Sequence, residues 1–290
     1  MSDAVNGRAR AGAFQPAIAP EIWRLRPDFV ALSLVVRGAR NAPSAPADRV
    51  ARDGPNAASE AIDRVVHGSP RSAGAATDHV VHGSPRAAGA ATGHVVHGAR
   101  NAVSDAVDRA GLDSMRPPWA EAHFAAWREA YRAFGAKPQR TPCSAEALWR
   151  RVARGGALAP LTAIVDLYNA VSLRYAVPVG GEDLAAYAGS PRLVRASGGE
   201  AFETVKDGQP VVDRVEPGEV IWRDDLGVTC RRWNWRQTTR TRVEVATRDL
   251  WFVLERLDPM PMAALVEAGD ALIEGLRRLA PNAAVRAEIQ

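Results

Sequence analysis

Apolar positions recur along the chain with different periods, and each change of period marks a change of element. From Phe29 to Val36 the run FVALSLVV is almost unbroken, and its length and β-branched end suit a buried strand. From Trp119 the period lengthens. Trp119, His123, Trp127, Tyr131 and Phe134 recur three and four residues apart, behind Pro117-Pro118 and ahead of Gly135, which predicts an amphipathic helix. His123, on its aromatic face, reads as a packed core histidine. Ser144 stands where it can N-cap a second helix, Ala145 to Arg154, that Gly155-Gly156 stop. A third helix starts near Pro160, carries Asn169 and ends at Pro178.

Beyond Asp183 a short helical turn gives way to strands. RLVRAS, EAFETV, VVDRV and EVIWRDD are separated by Gly-Gly, Asp-Gly and Pro-Gly turn signals. VTCRRWNWRQTTRTRVEV follows, and then two amphipathic helices are predicted, Arg248 to Leu257 and Met262 to Leu279. Helices flanking a mixed sheet make the chain α/β or α+β.

Between the first strand and the first long helix the chain repeats itself every fifteen residues. The units are VVRGARNAPSAPADR (35 to 49), VARDGPNAASEAIDR (50 to 64), VVHGSPRSAGAATDH (65 to 79), VVHGSPRAAGAATGH (80 to 94) and VVHGARNAVSDAVDR (95 to 109). One ancestral unit expanded in tandem accounts for them, leaving an underlying domain about sixty residues shorter than the 290-residue chain. A small solenoid is one reading. A loosely ordered surface insertion is favoured, because Ala, Gly, Ser, Pro and Arg bury too little to offset the ordering entropy. His67, His79, His82, His94 and His97 are regularly spaced because the unit was copied, so no metal site is assigned to them. Residues 1 to 14, small and aperiodic, read as a mobile tail, and residues 15 to 290 as a single domain that the repeat interrupts at about 35 to 109.

Composition excludes more than it selects. With 47% hydrophobic and 24% charged residues the chain reads as globular, and no run approaches the ~18 apolar residues of a membrane helix. The start MSDAVNGRARAGAF has no basic segment followed by an apolar one, so a cytoplasmic location is expected. Cys143 and Cys230 are too few for a disulfide framework or a four-cysteine zinc site, and both read as reduced and structural. Net charge is +4 and almost all the positive charge is arginine, Lys137 and Lys206 being the only lysines. Arginine favours phosphate and base stacking.

Two stretches carry candidate chemistry. VDLYNAVSLRYAVPVGGED, Val165 to Asp183, sets the uncharged Asn169 in an apolar helix, breaks at Pro178, opens a Gly180-Gly181 turn and closes on an acidic pair. A buried amide beside a glycine turn offers hydrogen-bonding groups to a small polar ligand. Asp183 is placed to cap the helical turn after it. The second stretch is RRWNWRQ, Arg231 to Gln237. Read as a strand, it sends Arg232, Asn234 and Arg236 to one side and Arg231, Trp233, Trp235 and Gln237 to the other. Arginines beside tryptophans can hold phosphate and stack bases; equally, these are two core tryptophans with arginines paired to acids such as Asp224 and Asp225.

The first stretch resembles the motif V-D-x-T-N-Y followed by P-x-H-A-F-D of the B3/4 editing domain in the bacterial phenylalanyl-tRNA synthetase beta subunit, matching at Val165, Asp166, Asn169, Pro178 and Asp183. A second block, ASGGEAFET, resembles that domain's A-x-x-G-E-x-x-x-T at Ala196, Gly199, Glu200 and Thr204. The similarity spans about Ala120 to Leu257, and no synthetase core accompanies it, so the chain looks like a free-standing relative. The resemblance implies a tRNA or aminoacyl-tRNA partner and hydrolytic editing of mischarged tRNA in trans, with no cofactor, no metal, no membrane and no obligate protein partner. By it Asn169 lines the pocket and hydrogen-bonds the substrate or its attacking water as a catalytic candidate, the alternative being a buried Asn bonded only to backbone. The residues themselves add Glu200 as a candidate base and Tyr168, Gly180, Gly181, Arg231, Arg232, Trp233, Asn234 and Arg236 as candidates for substrate binding. Glu244 is a second candidate base. The chain departs from the family where its threonine is Tyr168, its tyrosine Ala170 and its histidine Gly180, and where RRWNWRQ replaces a glycine-rich A-G-V-M-G-G loop. Tyrosine specificity is therefore not carried over. The alternatives are a non-catalytic RNA-binding module and a small-molecule amino-acid binder.

Overall fold

The computed structural model describes residues 14–43, 116–154, 158 and 161–290. The N-terminal tail, the repeat beyond residue 43 with its five histidines, Gly155-Gly156 and Pro160 lie outside the described residues.

Four antiparallel strands form the sheet that carries the core. β2 (Val30–Arg37) is the predicted apolar run, so the first three residues of the repeat, Val35, Val36 and Arg37, belong to the sheet. β2 pairs from Val30 to Val36 with all of β10 (Leu250–Arg256). β3 (Val179–Asp183) adds to the far side of β10 and β11 (Ala284–Ile289) to the far side of β2, giving the order β11-β2-β10-β3. A second sheet has the order β1-β4-β7-β8-β9. It comprises β1 (Ala17–Ile18), β4 (Arg192–Arg195), β7 (Val220–Arg223), β8 (Val228–Arg231) and β9 (Arg236–Gln237), with only β1 and β4 parallel. β5 (Ala201–Lys206) and β6 (Gln209–Arg214) make a separate two-stranded ribbon. The architecture is α+β.

β10 corrects a sequence expectation, for Arg248 to Leu257 does not form a helix. All seven residues of LWFVLER are buried, and a strand covered on both faces shows no alternation, so its apolar run with Glu and Arg reads equally as a helix. Neighbours β2 and β3 decide the matter by supplying partners for both edges.

Among the described residues five α-helices cover the sheets: α1 (Pro20–Leu25), α2 (Ala120–Ala133), α3 (Ser144–Ala153), α4 (Ala163–Tyr175) and α5 (Met262–Leu279). α2 is the predicted aromatic helix, and His123 is buried in it: Nδ1 donates to the Ala176 carbonyl (2.9 Å) while Nε2 accepts from Trp127 Nε1 (3.0 Å) and the Leu257 amide (3.2 Å). Burial pulls its pKa down to about 4, so the ring is neutral and both nitrogens are engaged. Ser144 does not cap α3; Cys143 holds the cap position, and the Ser144 hydroxyl is buried without a partner among the described residues. α4 is capped instead by Thr162, whose Oγ1 accepts from the Val165 amide. α4 and α5 cross closely at Gly275, where a Cβ would sit 2.4 Å from Leu167 Cδ1.

Candidate functional site

Gly180 and Gly181 form no turn. They lie inside β3, paired with Val253 and Phe252 of β10. Glycine is required at 181 by close approach: a Cβ there would stand 2.8 Å from both Phe252 Cε1 and Tyr168 Cε1. Tyr168 on α4 thus lies directly against the strand, its ring 6.0 Å from that of Phe252. Val179 ends the helix-to-strand connection, and Asp183 ends the strand by accepting from the Ala185 amide (2.8 Å), the capping role expected of it.

RRWNWRQ is not a strand either. β8 ends at Arg231, residues 232–235 turn, and β9 resumes at Arg236. Arg232 (φ 51°) and Trp233 (φ 66°) both adopt left-handed backbone, which costs on the order of 1–3 kcal/mol for each non-glycine residue. The alternation expected of a strand is lost, and the turn distributes its side chains differently. Arg231 is buried in a two-pronged pair with Glu219 (Nε to Oε1 2.9 Å, Nη2 to Oε2 2.8 Å). Trp233 drops into the core against Phe29 and Trp127. Trp235 stays half-buried, with the Arg232 and Arg236 guanidinium groups each 4.6 Å from its ring. The acids expected for this stretch pair elsewhere, Asp224 with Arg240 and Asp225 with Arg192.

A cavity of about 300 Å³ opens between these two stretches, at the lower end of the range for small-molecule sites. Tyr168, Asn169, Gly180, Trp233, Asn234 and Arg236 line it together, as does the start of α3. Asn169 in that lining is half-buried, and its amide has no hydrogen-bond partner among the described residues, which leaves its donor and acceptor available to a ligand. Exposed Arg151 and Arg236 stand in the same lining.

The polar side of the cavity is built from two carboxylates that the sequence pattern did not single out. Glu182 pairs across β3 and β10 with Trp251, and Glu255 lies four residues further along β10, so both point from one face of the sheet. Glu255 accepts from Trp222 Nε1 (3.0 Å) and Asn234 Nδ2 (2.9 Å), and Asn234 in turn accepts from the Tyr131 hydroxyl (2.8 Å). The buried Trp233 indole adds an N–H near that carboxylate without reaching hydrogen-bonding geometry. Burial pushes Glu255 up to about 8, against the pull of these donors. Glu182 accepts from the Tyr187 hydroxyl (2.5 Å), and burial pushes it up to about 7. Two carboxyl groups near neutrality, one able to hold a proton while the other is free, give the cavity acid and base chemistry at pH 7. The Cys230 thiol in the same lining is pushed far up by burial and stays protonated.

Five candidates lie elsewhere. Gly181 sits behind the cavity wall, and Arg231 is consumed by Glu219. Arg232 faces a different cavity. Glu200 is not at the site: its carboxylate accepts from the Ser197 (2.7 Å) and Gly198 (2.9 Å) amides, closing its own turn. Glu244 pairs with Arg242 at the surface. A signal for Glu255 did exist, since it is a carboxylate inside the apolar run LWFVLER.

Among the described residues no helix is long and apolar enough to cross a membrane. Residues 126–266 match the family model described as the B3/4 domain, a span that contains every residue lining the cavity. No curated protein matches the chain.

Proposed function

Residues 126–266 of this chain are a B3/4 domain, and from that premise we propose that the protein binds aminoacyl-tRNA and hydrolyses a wrongly attached amino acid from it in trans, in the cytoplasm. The observation that carries this reading is the cavity itself: its lining holds an Asn169 amide with no hydrogen-bond partner among the described residues, the Glu182 carboxylate that burial pushes up to about 7, and two exposed arginines. An aminoacyl ester is activated, so positioning and proton removal suffice to cleave it. Asn169 holds the attacking water or the ester carbonyl. Glu182 takes the water's proton as its oxygen bonds to the carbonyl carbon. The bond to the ribose oxygen then breaks, and that oxygen receives the proton, leaving free amino acid and free tRNA. Glu182 takes the base role for which the sequence offered Glu200 and Glu244. Arg151 and Arg236 attract the anionic 3′ end.

A panel of mischarged tRNAs incubated with the protein tests the reading. Release of at least one amino acid well above the buffer rate is expected; buffer-level release for every pair would overturn the catalytic claim. The Arg232–Trp235–Arg236 stack favours a second reading, RNA binding without turnover, for which tRNA would bind in a salt-dependent way and emerge still charged. Thermal stabilisation by free amino acids but not by tRNA would instead mark a small-molecule binder.

A further inference from the structure

A second cavity, of about 460 Å³, opens on the other side of the 231–236 turn. Lys137, Arg140 and Arg232 line it together with Thr141, Glu216 and Glu219. The connection from α2 to α3 supplies the first two: the amides of Arg140 (2.9 Å) and Thr141 (3.0 Å) both donate to the Lys137 carbonyl, and this tight turn sets both cations on the cavity. One of the two acids is already committed. Glu219 accepts two bonds from Arg231 and a third from the Arg232 amide (3.0 Å), so that charge is spent inside the fold. Lys137 and Arg140 therefore stand with the Arg232 guanidinium, whose Nε lies 3.8 Å from Glu219 Oε2, opposite one carboxylate that has no ion pair among the described residues, Glu216. Lys137 and Arg140 are exposed and have no ion-pair partner among the described residues. Arg232 is held by its left-handed backbone, with its guanidinium stacked on Trp235, which lines the first cavity. One turn thus joins the two cavities, sending Arg232 into the second and Trp233, Asn234 and Trp235 into the first.

We infer that the Lys137–Arg140–Arg232 cavity is a phosphate site, and that it grips a backbone phosphate of the same RNA whose 3′ end enters the first cavity. Planar guanidinium groups and an ammonium converging on a concave surface suit a tetrahedral anion. An amino acid bound in the first cavity has no phosphate to offer here, whereas a tRNA does. The inference rests on the proposed aminoacyl-tRNA partner, but not on hydrolysis.

The test compares the full chain with the exposed-residue variants K137E/R140E and K137Q/R140Q, and with R24E/R277E as a charge-matched control on distant helices. Their tRNA affinity is measured across a salt series. For K137E/R140E we expect affinity to fall about 10-fold or more at moderate salt, and the slope of log affinity against log salt to shrink by about 1 for each phosphate no longer neutralised. K137Q/R140Q should fall by less and the control by little. Inorganic phosphate, followed by amide shifts of the residues between Gly135 and Thr141, should bind the native chain, compete with tRNA, and have no effect on K137E/R140E. Equal falls in the control, or an unchanged salt slope, would overturn the site. If the variant no longer binds inorganic phosphate while its tRNA affinity is unchanged, the RNA assignment is wrong. Reduced affinity with no deacylation by any protein form would leave the phosphate site standing while hydrolysis fell.

Discussion

Glu182 and Asn169 do different work at the scale of single residues, and variants separate them. A general base with a pKa of about 7 requires deacylation (kcat/KM) to rise with pH up to about 7 and level off above it. Glu182→Gln should lower kcat by roughly 10²–10⁴-fold and remove that rise, with tRNA affinity intact; an unchanged profile would move the base elsewhere. Asn169→Ala should lower kcat by about 10–100-fold at unchanged tRNA affinity, because its amide has no hydrogen-bond partner among the described residues. Loss of affinity and rate together would show that Asn169 supports the fold instead. Of these two residues the sequence exposed only Asn169, through its motif. Glu182 was visible as half of an acidic pair, but nothing local says which of two neighbouring acids is buried. In the fold Asp183 caps a turn and Glu182 enters the cavity, because successive residues of a strand point to opposite sides.

At the scale of elements, β3 and the 231–236 turn are where pattern reading and structure part. Two adjacent glycines after a proline read as a turn, but β10 pairs with both of them, and the missing side chain of Gly181 serves contact with Tyr168 and Phe252. Gly181→Ala should therefore destabilise the protein by about 1–3 kcal/mol, since the added methyl meets two ring carbons at 2.8 Å; a melting temperature equal to that of the native chain would contradict this packing. RRWNWRQ shows the converse. Its residues favour an extended strand, yet two successive left-handed positions fold it into a turn that the buried Arg231–Glu219 pair and the Trp233 ring hold in place. Neither partner is close in sequence, so no local pattern announces the turn.

For the whole molecule, the raised carboxylates set a pH dependence of stability. The folded values of Glu182 and Glu255 lie near 7 and 8 against an ordinary 4.5, so between these limits the native state binds protons that the unfolded chain has released. Stability should accordingly be full below about pH 4.5 as far as these groups are concerned, and fall by on the order of a few kcal/mol as pH rises through about 8. Asp28, Asp224 and Asp249 have lowered values and act in a separate window, below an ordinary 3.8, where acid removes their contribution. Glu255→Gln, which keeps a neutral hydrogen-bonding side chain, should flatten the loss between about pH 5 and 8 in denaturant titrations. An equally steep loss in the variant would exclude Glu255 as its source.

What the sequence alone determined is what local physics controls: the buried strand at Phe29, the aromatic helix over Trp119 to Phe134, the terminal helix from Met262, the tandem repeat, and the B3/4 motif that marks Asn169. Periodicity and capping act over a few residues and leave a trace in them. Tertiary structure decided the rest. LWFVLER became the strand β10 because β2 and β3 flank it, the glycine pair became strand because β10 pairs with it, and the carboxylates became functional candidates only once burial raised them. Burial and strand pairing depend on partners far away in the chain, as in the pairing of Val36 with Leu250 and of Asp183 with Leu250. A reading confined to neighbours in sequence cannot register them.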